Sequence, residues 1–162
     1  MDNKERENVK ASLLAVLCNA TQIYRKTIKK NQKEAYKLKL REIIIGLTKK
    51  VDNNTITYED ILKAIIRLRK HCDSIGAAQK PINVYLKFYS VISNKDDRIL
   101  KELHCPIDSF VIHENDLDKI SLSSLDLPDY VKMQKTLQKG YRMRILADVK
   151  AWDKRKDYGY TD

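Results

Sequence analysis

The residues 57–89, TYEDILKAIIRLRKHCDSIGAAQKPINVYLKFY, set the expected fold. Apolar side chains recur at three- and four-residue steps on both sides of a glycine-containing break, which predicts two helices. Thr57 opens the first helix, and Asp60 stands where a capping-box acid belongs. Gly76 is expected to give the break a positive φ. Pro81 suits the first turn of the second helix, whose apolar face is Ile82, Tyr85, Leu86 and Tyr89.

The same spacing predicts helices in three other parts of the chain. The first has Val9, Leu13, Val16, Leu17, Ala20, Ile23 and Tyr24 on one face, and the second runs from about 32 to 50. A long basic amphipathic helix is predicted over about 128–155. The 162 residues hold only four glycines and three prolines, which is low for an all-β protein. We therefore expect an all-α chain forming one compact multi-helix domain, 1–162, with a candidate helix-hairpin-helix and catalytic segment at 60–112.

Net charge indicates the class of partner. The formal charge is +10 and the isoelectric point is about 9.4, which favours a polyanion such as nucleic acid. Lysine-rich helices are also common as solvated faces, so charge alone leaves this open. Phosphate loops, GxGxxG, HExxH and GxSxG signatures are absent, which excludes the commonest enzyme motifs.

The cysteines argue against a metal or disulfide framework. Cys18, Cys72 and Cys105 are odd in number and form no CxxC pair. Two His-Cys dipeptides occur, but adjacent residues rarely bind one metal. We expect no metal, reduced thiols and a cytoplasmic location. The charged N-terminus does not resemble a signal peptide, and no apolar run is long enough to span a membrane.

Lys80 and Asp108 are the candidate catalytic pair. Lys80 precedes Pro81, and a helix beginning there would place its amine at the positive end of the helix dipole, which favours the free amine. Asp108 follows a proline-containing segment 28 residues on (108 − 80). The alternatives are a solvated lysine beside a helix start and an aspartate that caps the next helix.

A family resemblance supports the catalytic interpretation. GAAQKPINVYL, from Gly76, resembles the segment of helix-hairpin-helix DNA glycosylases that contains their catalytic lysine, with Lys80, Asn83, Val84 and Leu86 in step. CPIDSFV resembles their catalytic aspartate segment. The branch that looks nearest is the archaeal 8-oxoguanine glycosylases. The iron–sulfur cluster of endonuclease III is impossible because no cysteine follows Cys105, so no cofactor is expected.

The resemblance implies base excision with strand-cleaving lyase activity on double-stranded DNA. Lys80 would attack the sugar C1′ and form a Schiff base, and Asp108 would stabilise the charge developing on the sugar. The hairpin, with Gly76 and Gln79, would contact phosphates. Basic residues of the flanking helices would add further phosphate contacts: Lys33, Lys37, Arg41, Arg142, Arg144 and Lys150.

Two other functions remain open from the residues alone. The first is a basic nucleic-acid-binding protein without catalysis. The second is a helical interaction module in which the C-terminal helix docks a protein partner through Leu137, Tyr141, Ile145 and Trp152.

Overall fold

The computed structural model describes Ile28 and residues 30–155. In this part of the chain, one short 3₁₀ helix, Lys30–Gln32, and seven α-helices make up the regular structure. No strand occurs in that part of the chain, so the predicted all-α class is confirmed. The predicted helix carrying Val9 and Tyr24 lies outside the described residues. The helices are α1 (Lys33–Asp52), α2 (Tyr58–Arg69), α3 (Ile75–Ile92), α4 (Asp97–Glu102), α5 (Ser109–Glu114), α6 (Leu127–Gly140) and α7 (Ile145–Arg155).

The helices α1, α2 and α3 pack against one another and form the centre of the fold. The apolar positions of α1 are buried as predicted, with Tyr36, Leu40 and Ile44 excluded from solvent. The predicted capping box of α2 is present: the Thr57 side chain accepts the Asp60 N–H, and the Asp60 carboxylate accepts the Thr57 N–H. These two bonds satisfy amide groups that the first turn leaves without intrahelical partners.

The start of α3 differs from the prediction. The helix begins at Ile75, where the Ser74 hydroxyl accepts the N–H of Ala77 at 3.1 Å. Lys80 is therefore the sixth residue of the helix, and the expected position at its positive end is wrong. The influence of the helix dipole is confined to the first turn, so it does not explain the chemistry of Lys80.

Gly76 also has a role other than the predicted positive φ. It lies in the first turn of α3, where a Cβ would stand 2.1 Å from the carbonyl oxygen of Leu122. The segment that contains Leu122 makes a second backbone contact with this turn: the N–H of Ile75 donates to the carbonyl of Leu125 at 3.2 Å. Glycine is required at position 76 by the close approach of two backbones.

Pro81 lies inside α3 and not in its first turn. Proline has no N–H, so the carbonyl of Ala77, four residues earlier, loses its usual helical donor. The hydroxyl of Tyr36 on α1 donates to that carbonyl at 3.1 Å. This bond between α1 and α3 satisfies the buried carbonyl that the proline leaves open.

The single helix predicted over 128–155 is wrong, because the chain forms two helices. The helix α6 ends at Gly140, and Tyr141 is extended, with φ −134 and ψ 141. Arg144, in the break, is buried, and its guanidinium donates to the carbonyls of Lys101, Glu102 and Leu103 at the end of α4. These hydrogen bonds to a distant part of the chain stabilise the break.

Candidate active site

The extended segment 104–108 carries the candidate aspartate, and two buried glutamines hold it. On α3, the amide of Gln79 donates to the carbonyl of Ile107 at 2.7 Å and accepts its N–H at 3.1 Å. On α6, Gln134 makes the same pair of bonds with Cys105, at 2.7 and 2.9 Å. Both glutamines are fully buried. Side chains therefore supply the hydrogen bonds that an isolated extended segment lacks.

The hydrogen bonds between Gln79 and Ile107 bring the candidate pair together, because Lys80 follows Gln79 in the chain and Asp108 follows Ile107. The Lys80 ammonium lies 3.2 Å from Asp108 Oδ2. The Lys80 side chain is 28% exposed and that of Asp108 is 8% exposed. The structure brings the two predicted catalytic residues into contact at the edge of the core, with the amine accessible from solvent.

Asp108 is also the N-cap of α5, as the alternative interpretation predicted. Its Oδ1 accepts the N–H groups of Phe110 and Val111, each at 3.0 Å. One carboxylate oxygen is thus fixed by the backbone, which directs the other oxygen at Lys80. The cap and the contact with the lysine are compatible functions of one side chain.

A second ion pair lies in the same pocket. Lys87, two turns after Lys80 on α3, forms an ion pair with Asp148 of α7. Burial raises the pKa of Asp148; Lys87 lowers it in part, and the charge of Asp108 raises it further. The positive charge of Lys80 also lowers the pKa of Asp148. Four charged groups of alternating sign are therefore electrostatically coupled.

The pocket that holds these groups has a volume of about 340 Å³. Its wall combines the four charged residues with the partly buried Val84 and with three exposed apolar side chains, Phe88, Val149 and Trp152. Asp153 lies at the edge. Phe88 and Trp152 are each nearly half exposed. Large exposed aromatic side chains beside a charged cluster are typical of a ligand site.

A buried hydrogen-bond network supports the pocket from behind. His104 Nε2 lies 3.0 Å from the carbonyl of Tyr58, which can only accept, so this nitrogen carries the proton. Its Nδ1 then accepts the hydroxyl proton of Tyr130 at 2.7 Å, and the Tyr130 oxygen accepts from Asn83 at 2.9 Å. Burial lowers the pKa of His104 to about 3, and the charge of Arg144 acts in the same direction. His104 is thus a neutral structural residue.

Three residues predicted to contact nucleic acid are buried within the fold. Gly76 packs against the Leu122 carbonyl, Gln79 is bonded to Ile107, and the guanidinium of Arg144 is used by the end of α4. Their polar groups are not presented to solvent. In this structure they act by positioning backbone segments, which is a different role from phosphate binding.

The remaining predicted phosphate contacts lie at the surface. Lys37 pairs with Glu34 at 3.2 Å, and Arg142 pairs with Asp97. Exposed ion pairs of this kind contribute little to stability, so their cations can exchange partners. Arg41 and Lys150 are exposed, and Lys33 is partly exposed, without an ion pair among the described residues.

Sequence reasoning missed several pocket residues. The available signal for Lys87 was its seven-residue step from Lys80, which places both on one side of a helix. Asp148 was recognisable as an acid beside the apolar stripe of the C-terminal region. Nothing in the sequence indicated that Lys87 and Asp148, 61 residues apart, would meet.

The other predicted features have the following positions. The proposed docking residues Leu137 and Ile145 are buried in the core, Tyr141 is bonded to Asn115, and only Trp152 of that set is exposed.

Within the described residues, no cluster of three or more histidine, cysteine or acidic side chains is placed to hold a metal. None of the described helices has the length and apolar character needed to cross a membrane.

Comparison with protein-family models, with curated proteins and with solved structures found no match to this chain.

Proposed function

We propose that this protein is a DNA-binding base-excision enzyme with lyase activity, in which Lys80 is the nucleophile and Asp108 the carboxylate that stabilises the reacting sugar. The observation that carries the proposal is the contact of Lys80 Nζ with Asp108 Oδ2, at 3.2 Å in an open pocket with aromatic walls. An amine nucleophile requires an orienting partner and access to its substrate, and both conditions are met.

The proposed reaction uses these two groups in sequence. The Lys80 lone pair forms a bond to C1′ while the bond from C1′ to the base breaks. The base leaves with that electron pair and takes up a proton from water. Opening of the sugar ring breaks the bond between C1′ and O4′, and O4′ takes up the amine proton as the imine forms. Asp108 remains a carboxylate and stabilises the positive charge that develops on the sugar.

The pocket suits a base turned out of the duplex. Such a base needs apolar surface for its faces and polar groups for its edges. Phe88 and Trp152 offer the first, and the exposed carboxylate of Asp153 at the edge of the pocket offers the second. Phosphate contacts are proposed for the exposed residues Arg41, Arg142 and Lys150 and for the partly exposed Lys33 and Lys37. This predicts that affinity falls steeply as salt is added.

The test is borohydride reduction in the presence of a duplex that contains one abasic site. The amine condenses with the sugar aldehyde, water leaves, and hydride addition to the imine carbon makes the link permanent. We expect a covalent adduct with the wild-type protein and none with Lys80→Gln. Lys63→Gln, which changes an exposed lysine on α2, is the matched control and should keep the adduct.

Asp108→Asn separates catalysis from folding. Asparagine is as good an N-cap as aspartate, so α5 should remain folded while the charge is lost. We expect adduct formation to slow by about 10²- to 10⁴-fold with DNA binding retained. Release of free base from a duplex containing 8-oxoguanine should slow in parallel.

A nucleic-acid-binding protein without catalysis is the alternative that the +10 charge supports. It predicts tight, salt-dependent binding and no adduct in any variant. An adduct that persists in Lys80→Gln would also contradict the proposed nucleophile.

A further inference from the structure

The groove between α1 and α2 lies outside the candidate active site, and the two share no residue. Two ion pairs cross this groove, Glu42 with Arg67 at 2.6 Å and Lys50 with Asp60 at 2.7 Å. From the first pair to the second, residue numbers rise along α1 and fall along α2, so the two helices run antiparallel. The pairs are eight residues apart on α1 (50 − 42), which is about 12 Å along the helix axis.

Between the two ion pairs the groove is open, with a volume of about 580 Å³. Gly46 on α1 and Ala64 on α2 line it midway between the pairs, so neither helix contributes a large side chain at this point. Ile45, which also lines the groove, is 45% exposed. The middle of the groove is therefore a small apolar hollow that is open to solvent.

Packing among the described residues does not require glycine at position 46. A Cβ there would meet no described atom outside its own stretch of helix within 4 Å, in contrast to Gly76. Glycine is also among the least favourable residues in the middle of a helix. One use of glycine is to let another molecule approach a backbone closely. The open space over Gly46 fits such an approach from outside the chain.

The charge of the groove indicates the chemistry of its occupant. Both acidic residues that line it, Glu42 and Asp60, are already paired. Lys49 and Lys63 line the same groove, are exposed, and have no ion-pair partner among the described residues. Carboxylates on the occupant would supply charge-assisted contacts for these two lysines. A second copy of this chain, with its net charge of +10, is a poorer match.

We propose that the groove between α1 and α2 binds an acidic amphipathic helix of a protein partner. An apolar side chain of that helix enters the hollow over Gly46 and Ala64, and carboxylates beside it pair with Lys49 and Lys63. A helix is about 10–12 Å in diameter, so it can cross α1 between the two ion pairs. Docking of an amphipathic helix in an apolar groove is a common mode of recognition.

A protein helix suits this groove better than nucleic acid does. The middle turns of α1 use their backbone N–H groups within the helix, so the surface at Gly46 offers no donors to a phosphate. The exposed aliphatic side chain of Ile45 also has no counterpart in a phosphate backbone. Both features match an apolar stripe with acidic residues on its two sides.

The experiment measures binding of a fluorescein-labelled synthetic peptide to the full chain by fluorescence anisotropy. The peptide is about five helical turns long, with leucine at three- and four-residue steps and glutamate at the neighbouring positions. A peptide of the same composition in scrambled order has the same charge but no apolar stripe. We expect saturable binding of the first peptide, at least about tenfold tighter than that of the second.

Gly46→Gln tests the hollow without endangering the fold. Glutamine favours the helix more than glycine does, so thermal stability should be kept or raised. The added side chain fills the hollow, and peptide affinity should fall by about tenfold or more. Gly140→Gln is the matched control, because the Cβ position of Gly140 at the end of α6 is equally open. Peptide affinity should not change in this variant.

Charge reversal tests the two lysines of the groove. Lys49→Glu/Lys63→Glu should abolish peptide binding, because the carboxylates of the peptide would then face like charges. Lys135→Glu/Lys139→Glu makes the same change in net charge at exposed positions of α6. That control should keep most of the wild-type affinity.

Four results would overturn the proposal. The first is no binding of the amphipathic peptide, and the second is equal affinity for the wild type and Gly46→Gln. The third is an equal loss in the two charge-reversal variants, which would show that only net charge matters. The fourth is a mixed-sequence DNA duplex that displaces the peptide and itself binds more weakly to Gly46→Gln, which would assign the groove to nucleic acid.

Discussion

Replacement of Gly76 by alanine is expected to destabilise the fold, and the structure supplies the magnitude. The new Cβ would lie 2.1 Å from the oxygen and 2.8 Å from the carbon of the Leu122 carbonyl. Both are backbone atoms, so side-chain rotation cannot relieve the overlap. Overpacking of this kind costs about 1–3 kcal/mol, while alanine gains at most about 1 kcal/mol over glycine in a helix. The expected net loss is about 1–2 kcal/mol.

Gly46→Ala is the matched control. Gly46 lies inside α1, and among the described residues no atom outside its own stretch of helix lies within 4 Å of its Cβ position. The same substitution there should stabilise the protein by about 0.5–1 kcal/mol. The two variants should therefore differ in the sign of their effect on the free energy of unfolding.

The assay is urea-induced unfolding followed by circular dichroism. With a denaturant dependence of about 2 kcal/mol per molar urea, Gly76→Ala should lower the unfolding midpoint by about 0.5–1 M. Stability equal to or above that of the wild type would refute the packing explanation. Loss of DNA affinity with unchanged stability would instead assign Gly76 to a DNA interface, as the family resemblance implied.

Three other predictions concern the buried polar groups. Gln79→Leu should lower stability by about 2–4 kcal/mol in urea unfolding, because it leaves a donor and an acceptor of the backbone without partners. Tyr36→Phe should lower the free energy of unfolding by about 1–3 kcal/mol. The loss should be smaller in a Pro81→Ala background, where the N–H of residue 81 can donate to the Ala77 carbonyl in place of the Tyr36 hydroxyl. Strictly additive effects of the two substitutions would contradict this. Burial lowers the pKa of His104 to about 3 from an ordinary 6.5. Between these two pH values the unfolded chain binds a proton at His104 and the folded protein does not. The free energy of unfolding should therefore decrease as the pH falls from 6.5 towards 3. The free energy of unfolding should change by up to about 1.4 kcal/mol per pH unit in this range. Thermal unfolding measured at several pH values should show a smaller dependence on pH for His104→Gln than for the wild type.

Local signals in the sequence predicted the helices well where a cap and an apolar stripe agreed. The capping box at Thr57 and the buried positions of α1 are examples. The start of α3 was misplaced because Pro81 was given more weight than Ser74. Pro81 is tolerated inside α3 because the Tyr36 hydroxyl donates to the carbonyl of Ala77, which the proline cannot reach with an N–H. Tyr36 lies 41 residues from Ala77 in the sequence.

Features that depend on distant partners could not be predicted. The break between α6 and α7 follows from bonds between Arg144 and carbonyls more than 40 residues away, which no local pattern reveals. The pairing of Lys80 with Asp108 was predicted from their positions in the sequence and from the family resemblance. The second pair, Lys87 with Asp148, was not predicted. The glutamines that position the segment 104–108 are polar residues in the core, where hydrophobic periodicity gives no signal.

The most direct measurement of the central proposal is the position of the covalent link. The adduct formed with abasic duplex and borohydride should be digested with protease and nuclease, and the modified peptide should be sequenced by mass spectrometry. A deoxyribose remnant on Lys80 is the predicted result. A remnant spread over exposed lysines, or on a lysine other than Lys80, would contradict the account.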